Sequence, residues 1–227
     1  MQPLRPKRAK IAASLFLTIL KERIMSEKVN PRTARVREAL TDAAFELVSE
    51  SPVNQITLTQ VAEHAGVSRP TVYKQFNDTA TLVAEVTIQS LDDTLERIDH
   101  EIGSQNDLDY FHELMDKFVQ AVYRHRSFYR NAAYGPSAAQ IIMGVSKMLD
   151  QRMSTRHIEK RLSGVHANAS DCRAAISAGL VWLLVRWLES DFKGENAPEA
   201  IAKRVADTMY VLSGAQEEGS WKDSDAN

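Results

Sequence analysis

A single cysteine, Cys172, stands in the whole chain, so no intramolecular disulfide can staple the fold. One thiol fits a reducing cytoplasm, and Cys172 reads as a small helical residue before it reads as a redox centre. Only 9 glycines and 7 prolines are spread over 227 residues, and strand-like alternation is almost missing. Helices throughout are the expectation. The six histidines, His64, His100, His112, His125, His157 and His166, are scattered without metal-ligand spacing. A glycine-rich phosphate loop, a nucleophile elbow and a cysteine pair are all lacking. Asp92-Asp93 and Glu217-Glu218 read as ordinary solvated charges. No catalytic residues, no metal site and no cofactor are therefore expected. Ile11–Leu20 is ten residues, and Asp171–Ser190 is short and carries Arg186, so neither is expected to span a membrane.

What is present is an ordinary soluble composition, 44% hydrophobic and 26% charged, long enough to bury a sizeable core. The net charge of −2 conceals an asymmetry. Residues 1–82 hold 12 Lys+Arg against 8 Asp+Glu, and the rest 16 against 22. A basic end on an acidic body suits a protein that presents one end to a polyanion. Arg5, Lys7, Arg8 and Lys10 before Ile11–Leu20 imitate a secretory leader, yet Lys21-Glu22-Arg23 follows where small residues would allow cleavage. Residues 1–32 are read as an extension, pendant or preceding a truer start at Met25. Lys28, Arg32, Arg35 and Arg37 form a candidate DNA-gripping arm.

The most informative stretch is Thr57–Phe76, TLTQVAEHAGVSRPTVYKQF. Thr57 with Gln60 three residues on makes a capping box. The small Ala62 and Ala65 leave room for a crossing helix, and Gly66 falls where the first helix must stop. Ser68 is placed to cap a second helix, whose early Pro70 costs no hydrogen bond. Val67, Val72 and Phe76 are expected to face inward, leaving Arg69, Thr71, Tyr73 and Lys74 outward. That is a helix-turn-helix whose second helix can enter a major groove. Arg69 can meet a guanine edge bidentately and Thr71 a base or thymine methyl. Tyr73 and Lys74 are read as phosphate contacts, with Thr57 and Ser68 at the helix starts. The plain alternative, a two-helix corner in some other helical protein, has to produce both caps and the glycine at the same spacing by chance.

These residues, with Arg37–Val48 (REALTDAAFELV), Ile56-Thr57-Leu58, Val61-Ala62, Ala65-Gly66-Val67-Ser68, Thr71-Val72-Tyr73, Phe76 and Leu82, resemble the tetracycline-repressor (TetR) family over about a quarter of the chain. Two positions depart from the family pattern. Thr79-Ala80 stand where Lys and an acidic residue usually open the fourth helix, and that lysine supports a phosphate contact. Pro52 replaces the usual glycine after the first helix, which alters a turn. The resemblance implies an all-α fold: an N-terminal three-helix helix-turn-helix DNA-binding domain joined to a C-terminal helical ligand-binding and dimerisation domain. The boundaries are placed at 33–93 (motif 56–75) and 94–213, with a disordered tail at 214–227.

Within that body, the helix from about Asp78 to Glu101 buries a stripe of Ile88, Leu91, Leu95, Ile98 and Ile102. A break at 103–106, a helix over about Asp107–Arg126, an aromatic link through Phe128-Tyr129, a helix from near Ser137 and a break at Ser163–Ser170 follow. Asp171–Ser190 is apolar nearly all round and must be covered on most sides. A closing helix from Asn196-Ala197-Pro198-Glu199 carries Ile201, Val205, Met209 and Leu212. Pairing of these two helices with a second copy, as in the family, would make a homodimer; Ala175, Ala178, Gly179, Ile201, Val205 and Met209 are the candidates. The alternative is burial within one subunit. An unknown small-molecule effector is implied by the resemblance, with Met115, Phe118, Tyr123, Phe128, Tyr134, Met143 and Trp182 (and Met148 and Trp187) as pocket candidates. Each is equally a core residue by type. The reading is a cytoplasmic, ligand-responsive repressor that binds a palindromic operator in double-stranded DNA. The alternative is a DNA-binding structural or division-control protein acting through a protein partner.

Overall fold

The computed structural model describes residues 31–103, 107–153 and 168–213. The leader-like segment, Lys28, the side chain of Arg32, most of the break at Ser163–Ser170, Glu217-Glu218 and the polar tail lie outside them. Two compact units are defined, Met1–Ala39 and Leu40–Asn227. The first is represented by the leading turns of a helix in which Arg35 and Arg37 are exposed. The second holds the architecture that follows.

Nine α-helices occur among the described residues, and no strand. They are α1 (Pro31–Glu50), α2 (Leu58–His64), α3 (Arg69–Gln75), α4 (Thr79–Glu101), α5 (Asp107–Arg124), α6 (Arg126–Ala133), α7 (Ala138–Arg152), α8 (Ala169–Leu188) and α9 (Pro198–Ser213). Pro52 leads into a 3-10 turn, Val53–Gln55, which joins α1 to α2. Leu40, Ala44 and Val48 of α1, Val61 and Ala62 of α2, Val72 of α3 and Leu82 and Val83 of α4 are all fully buried. The four-residue recurrence of Leu40, Ala44 and Val48 gives α1 one apolar face. A small core of leucine, valine and alanine side chains results, with Arg69, Tyr73 and Lys74 outside it.

Asp78 caps α4 by accepting a hydrogen bond from the Thr81 amide at 2.7 Å. The helix then buries Leu91, Leu95 and Ile98, with Ile88 and Ile102 half-buried. At Gly144, α7 approaches α4 so closely that an added Cβ would lie 2.2 Å from Ile88 Cδ1. Asp92 is not merely solvated. Arg152 at the end of α7 donates from Nε to Asp92 Oδ1 (2.8 Å) and from Nη1 to Asp99 Oδ2 (3.0 Å), so its fork spans two turns of α4. Tyr110 of α5 donates to the other Asp99 oxygen at 3.0 Å, and burial, then the Asp99 charge, pushes its phenol up to about 12.

Phe128-Tyr129 are not in a link. They belong to α6, because Phe128, Tyr129, Ala132 and Ala133 sit on one helical face and are buried together. His125 (φ −110°, ψ 28°) breaks α5 from α6. Phe128, fully buried, stacks on Phe45 of α1 at 4.1 Å between centroids. Asn131 donates to Val48 O (2.8 Å), and Tyr129 OH lies 3.0 Å from Ser90 Oγ of α4. Arg130 donates to Leu188 O (2.5 Å) and Ser190 O (2.8 Å), capping the end of α8. One short helix thus ties α1, α4 and α8.

Candidate DNA-binding site

The site is built from local rules. Thr57 Oγ1 accepts from the Gln60 amide (3.2 Å) and Gln60 Oε1 from the Thr57 amide (2.8 Å), completing the capping box. At the other end of α2 the chain stops in a Schellman turn. Val67 N donates to Ala62 O (2.8 Å) and Gly66 N to Glu63 O (3.2 Å), with Gly66 at φ +64°. A side chain at that φ is strained, which is why glycine stands there. Ser68 takes the cap position of α3 with extended backbone, but its hydroxyl pairs with that of Thr71 at 2.7 Å instead of a backbone amide. Two hydroxyls within one turn satisfy each other, a competition that sequence spacing does not reveal.

The outward face of α3 is as its periodicity implies. Val72 and Phe76 are buried and Val67 is half-buried; Arg69 and Lys74 are exposed, Tyr73 is 55% exposed, and Thr71 is half-buried. Tyr73 OH stands 3.4 Å from Thr59 Oγ1 of α2. Arg69 Nη2 donates to Glu63 Oε1 at 2.6 Å, an ion pair across the turn. Glu63 was not among the residues singled out from sequence; its only signal is its position six residues before Arg69. His64 lies on the surface of α2 with Nε2 2.6 Å from Glu46 Oε2 of α1.

The remaining candidates fall into separate places. Met115 and Phe118 are buried residues of α5, a helix that packs chiefly on α9. Tyr123 joins Trp187 and Phe192 in an aromatic cluster, with centroids 5.3 Å from Phe192. Tyr134 donates to Val185 O (3.0 Å); burial raises its phenol to about 12. Met143 and Trp182 are 73% and 57% exposed, so they do not join the interior group. Met143 sits on the face of α7 opposite the buried Ile141, Val145 and Met148, and Trp182 sits at the margin of the buried face of α8 that Leu180, Val181 and Val185 form. Ala175, Ala178 and Gly179 are exposed on the Trp182 side of α8. Ile201 and Val205, in contrast, are buried within the subunit, because α9 packs mainly on α5, and Met209 is half-buried. Val211 and Leu212 near the end of α9 are exposed. No helix among the described residues is long and apolar enough to cross a membrane, and none of their His, Cys, Asp and Glu side chains cluster as a metal site.

A capped, glycine-turned helix pair with a polar outer face, carried on an all-α body, defines a helix-turn-helix DNA-binding regulator. Residues 40–86 match the profile of the bacterial regulatory proteins of the tetR family. Over these residues the chain carries the helix-turn-helix segment of that family of transcriptional regulators. An HTH-type transcriptional regulator of Mycobacterium tuberculosis (strain ATCC 25618 / H37Rv) is 38% identical over 56 residues, 25% of this chain and 30% of that protein. The match thus spans under a third of the relative's length. A TetR transcriptional regulator from Rhodococcus sp. RHA1 superposes with TM-score 0.55 at 16% identity, over 78% of this chain and 97% of that one. FadR from Bacillus subtilis, solved with stearoyl-CoA, gives 0.53 at 17% identity, over 79% and 99%. These likenesses establish a common fold.

Proposed function

We propose that this regulator is a ligand-responsive repressor that binds a palindromic operator as a homodimer in the cytoplasm. The observation that carries the reading is the outer face of α3, where Arg69, Tyr73 and Lys74 project from a helix that packs on α2 and buries Val72 on its other face. A second, exposed patch supports dimerisation: Ala175, Ala178, Gly179 and Trp182 follow helical spacing on α8, with Val211 and Leu212 exposed on α9. Two small-residue stripes can approach closely and cover the tryptophans. Two α3 helices related by a twofold axis would then read half-sites about one helical turn, roughly 34–36 Å, apart. Arg69 reads a base; Lys74 and Tyr73 hold phosphates.

The switch runs through α4, which begins beside α3 and is buried in the body. An effector bound in the body alters operator affinity only by binding the two α4 orientations unequally. Operator and effector must then oppose each other by the same factor. Selection of bound sequences from random duplexes, followed by sedimentation of the complex and effector titration with and without operator, tests the reading. A twofold-symmetric site bound by two subunits, with reciprocal antagonism, is expected. A monomer on an asymmetric site, or an effector that leaves operator affinity unchanged, would overturn it.

A further inference from the structure

We propose that Glu63 is a specificity-determining residue of the DNA-binding surface, holding the Arg69 guanidinium for a guanine edge and keeping it off phosphates. The proposal rests on the reading above, in which α3 enters the major groove with Arg69 towards the bases. Arg69 is the first residue of α3, and Glu63 lies in the last turn of α2. The Schellman turn between them is short and hydrogen-bonded, so the backbone fixes the two positions from which the side chains reach each other. Arg69 Nη2 donates to Glu63 Oε1 at 2.6 Å, and the two side chains are 64% and 60% exposed. This bond uses one of five guanidinium N–H donors, so two others can still meet guanine O6 and N7 together.

In water an exposed pair of this kind contributes little, because solvent and salt screen it. Against a duplex the pair is partly dehydrated and the same contact strengthens. Two consequences follow. If Arg69 turned to a phosphate, the Glu63 carboxylate would be carried towards that negative charge; a guanine edge offers acceptors without net charge. The acid therefore penalises the phosphate mode and spares the base mode, a selection by repulsion. Furthermore, an arginine already neutralised by a carboxylate releases no counterion on binding, so it adds nothing to the salt dependence.

Glu63→Gln keeps the side-chain shape and removes the charge. Affinities of the full chain would be measured for the selected operator, for operators changed at each half-site base pair, and for an unrelated duplex, over about 50–200 mM salt. The expected result is tighter binding of the unrelated duplex and a salt slope steeper by about 0.9 per subunit. Discrimination at one base pair per half-site should fall by about fivefold or more. In an Arg69→Ala background the same substitution should alter neither discrimination at that pair nor the slope. If Glu63→Gln leaves discrimination intact while Arg69→Ala relaxes one position, the proposal fails and the reading of Arg69 survives. If Arg69→Ala also leaves every base preference intact, that reading fails and the proposal falls with it.

Discussion

Replacing Gly144 by alanine tests whether the close approach of α7 to α4 holds α4 in place. The new methyl would lie 2.2 Å from Ile88 Cδ1 and 3.0 Å from Cγ1. Carbon atoms rest at about 3.5–4.0 Å, so well over an ångström must open at Cδ1 and about half an ångström at Cγ1. Cδ1 can swing away about χ2. Cγ1 cannot, because a β-branched residue in a helix is held to one χ1 rotamer. The residual strain must therefore move α4 against α7, at an overpacking cost of about 1–3 kcal/mol. Removing a mid-helix glycine returns about 1 kcal/mol. The net loss is about 0–2 kcal/mol, or a fall in Tm of up to roughly 8 °C for a chain of this size. Ile88→Ala removes both offending carbons, so in that background Gly144→Ala should raise Tm through propensity alone. The difference between backgrounds, about 1–3 kcal/mol, is the contact. Thermal melts of the four proteins give it, and operator titrations show whether the shifted α4 also changes DNA affinity. An equal rise in Tm in both backgrounds would refute the contact and, with it, the hold of α7 on α4.

Thr57→Ala removes the acceptor for the Gln60 amide and should cost about 0.5–2 kcal/mol in denaturant titrations, with Thr57→Ser restoring most of it. Phe128→Ala empties the fully buried stack on Phe45 and should cost about 3–5 kcal/mol; an unchanged melt would mean that α6 does not secure α1. The phenols of Tyr110 and Tyr134 are raised from 10.0 to about 12, chiefly by burial, so the unfolded chain ionises first. Stability should therefore hold below about pH 10 and decline as pH rises from there to about 12. Phenolate absorbance followed alongside helical content checks the sign, since ionisation of these two tyrosines should accompany unfolding.

Much of the site was legible in the sequence because it is written in interactions within four or five residues. The capping box at Thr57 and Gln60, the glycine stop at Gly66, and the buried spacing of Val72 and Phe76 all follow from local backbone rules. The stripe along α4 is likewise a matter of helical period, as is the helical character of the whole chain. Where local rules compete, spacing alone does not decide: Ser68 pairs with the Thr71 hydroxyl instead of a backbone amide, and the aromatics of α6 form a buried helical face where a link is expected.

What only the tertiary structure decided is which face of each helix meets which neighbour. Trp182 and Met143 look like interior residues by type, yet packing turns them to the surface, while Ile201 and Val205 are buried on α9, which packs mainly on α5. The ties from α6 to α1, α4 and α8 join residues 39 to 83 positions apart, and Gly144 lies far along the chain from Ile88. The Arg69–Glu63 pair needs the turn geometry to bring two ordinary surface charges to 2.6 Å. A helix's periodicity specifies that it has an apolar face, but the partner for that face is set by whole-chain packing, where many side-chain volumes must fit at once.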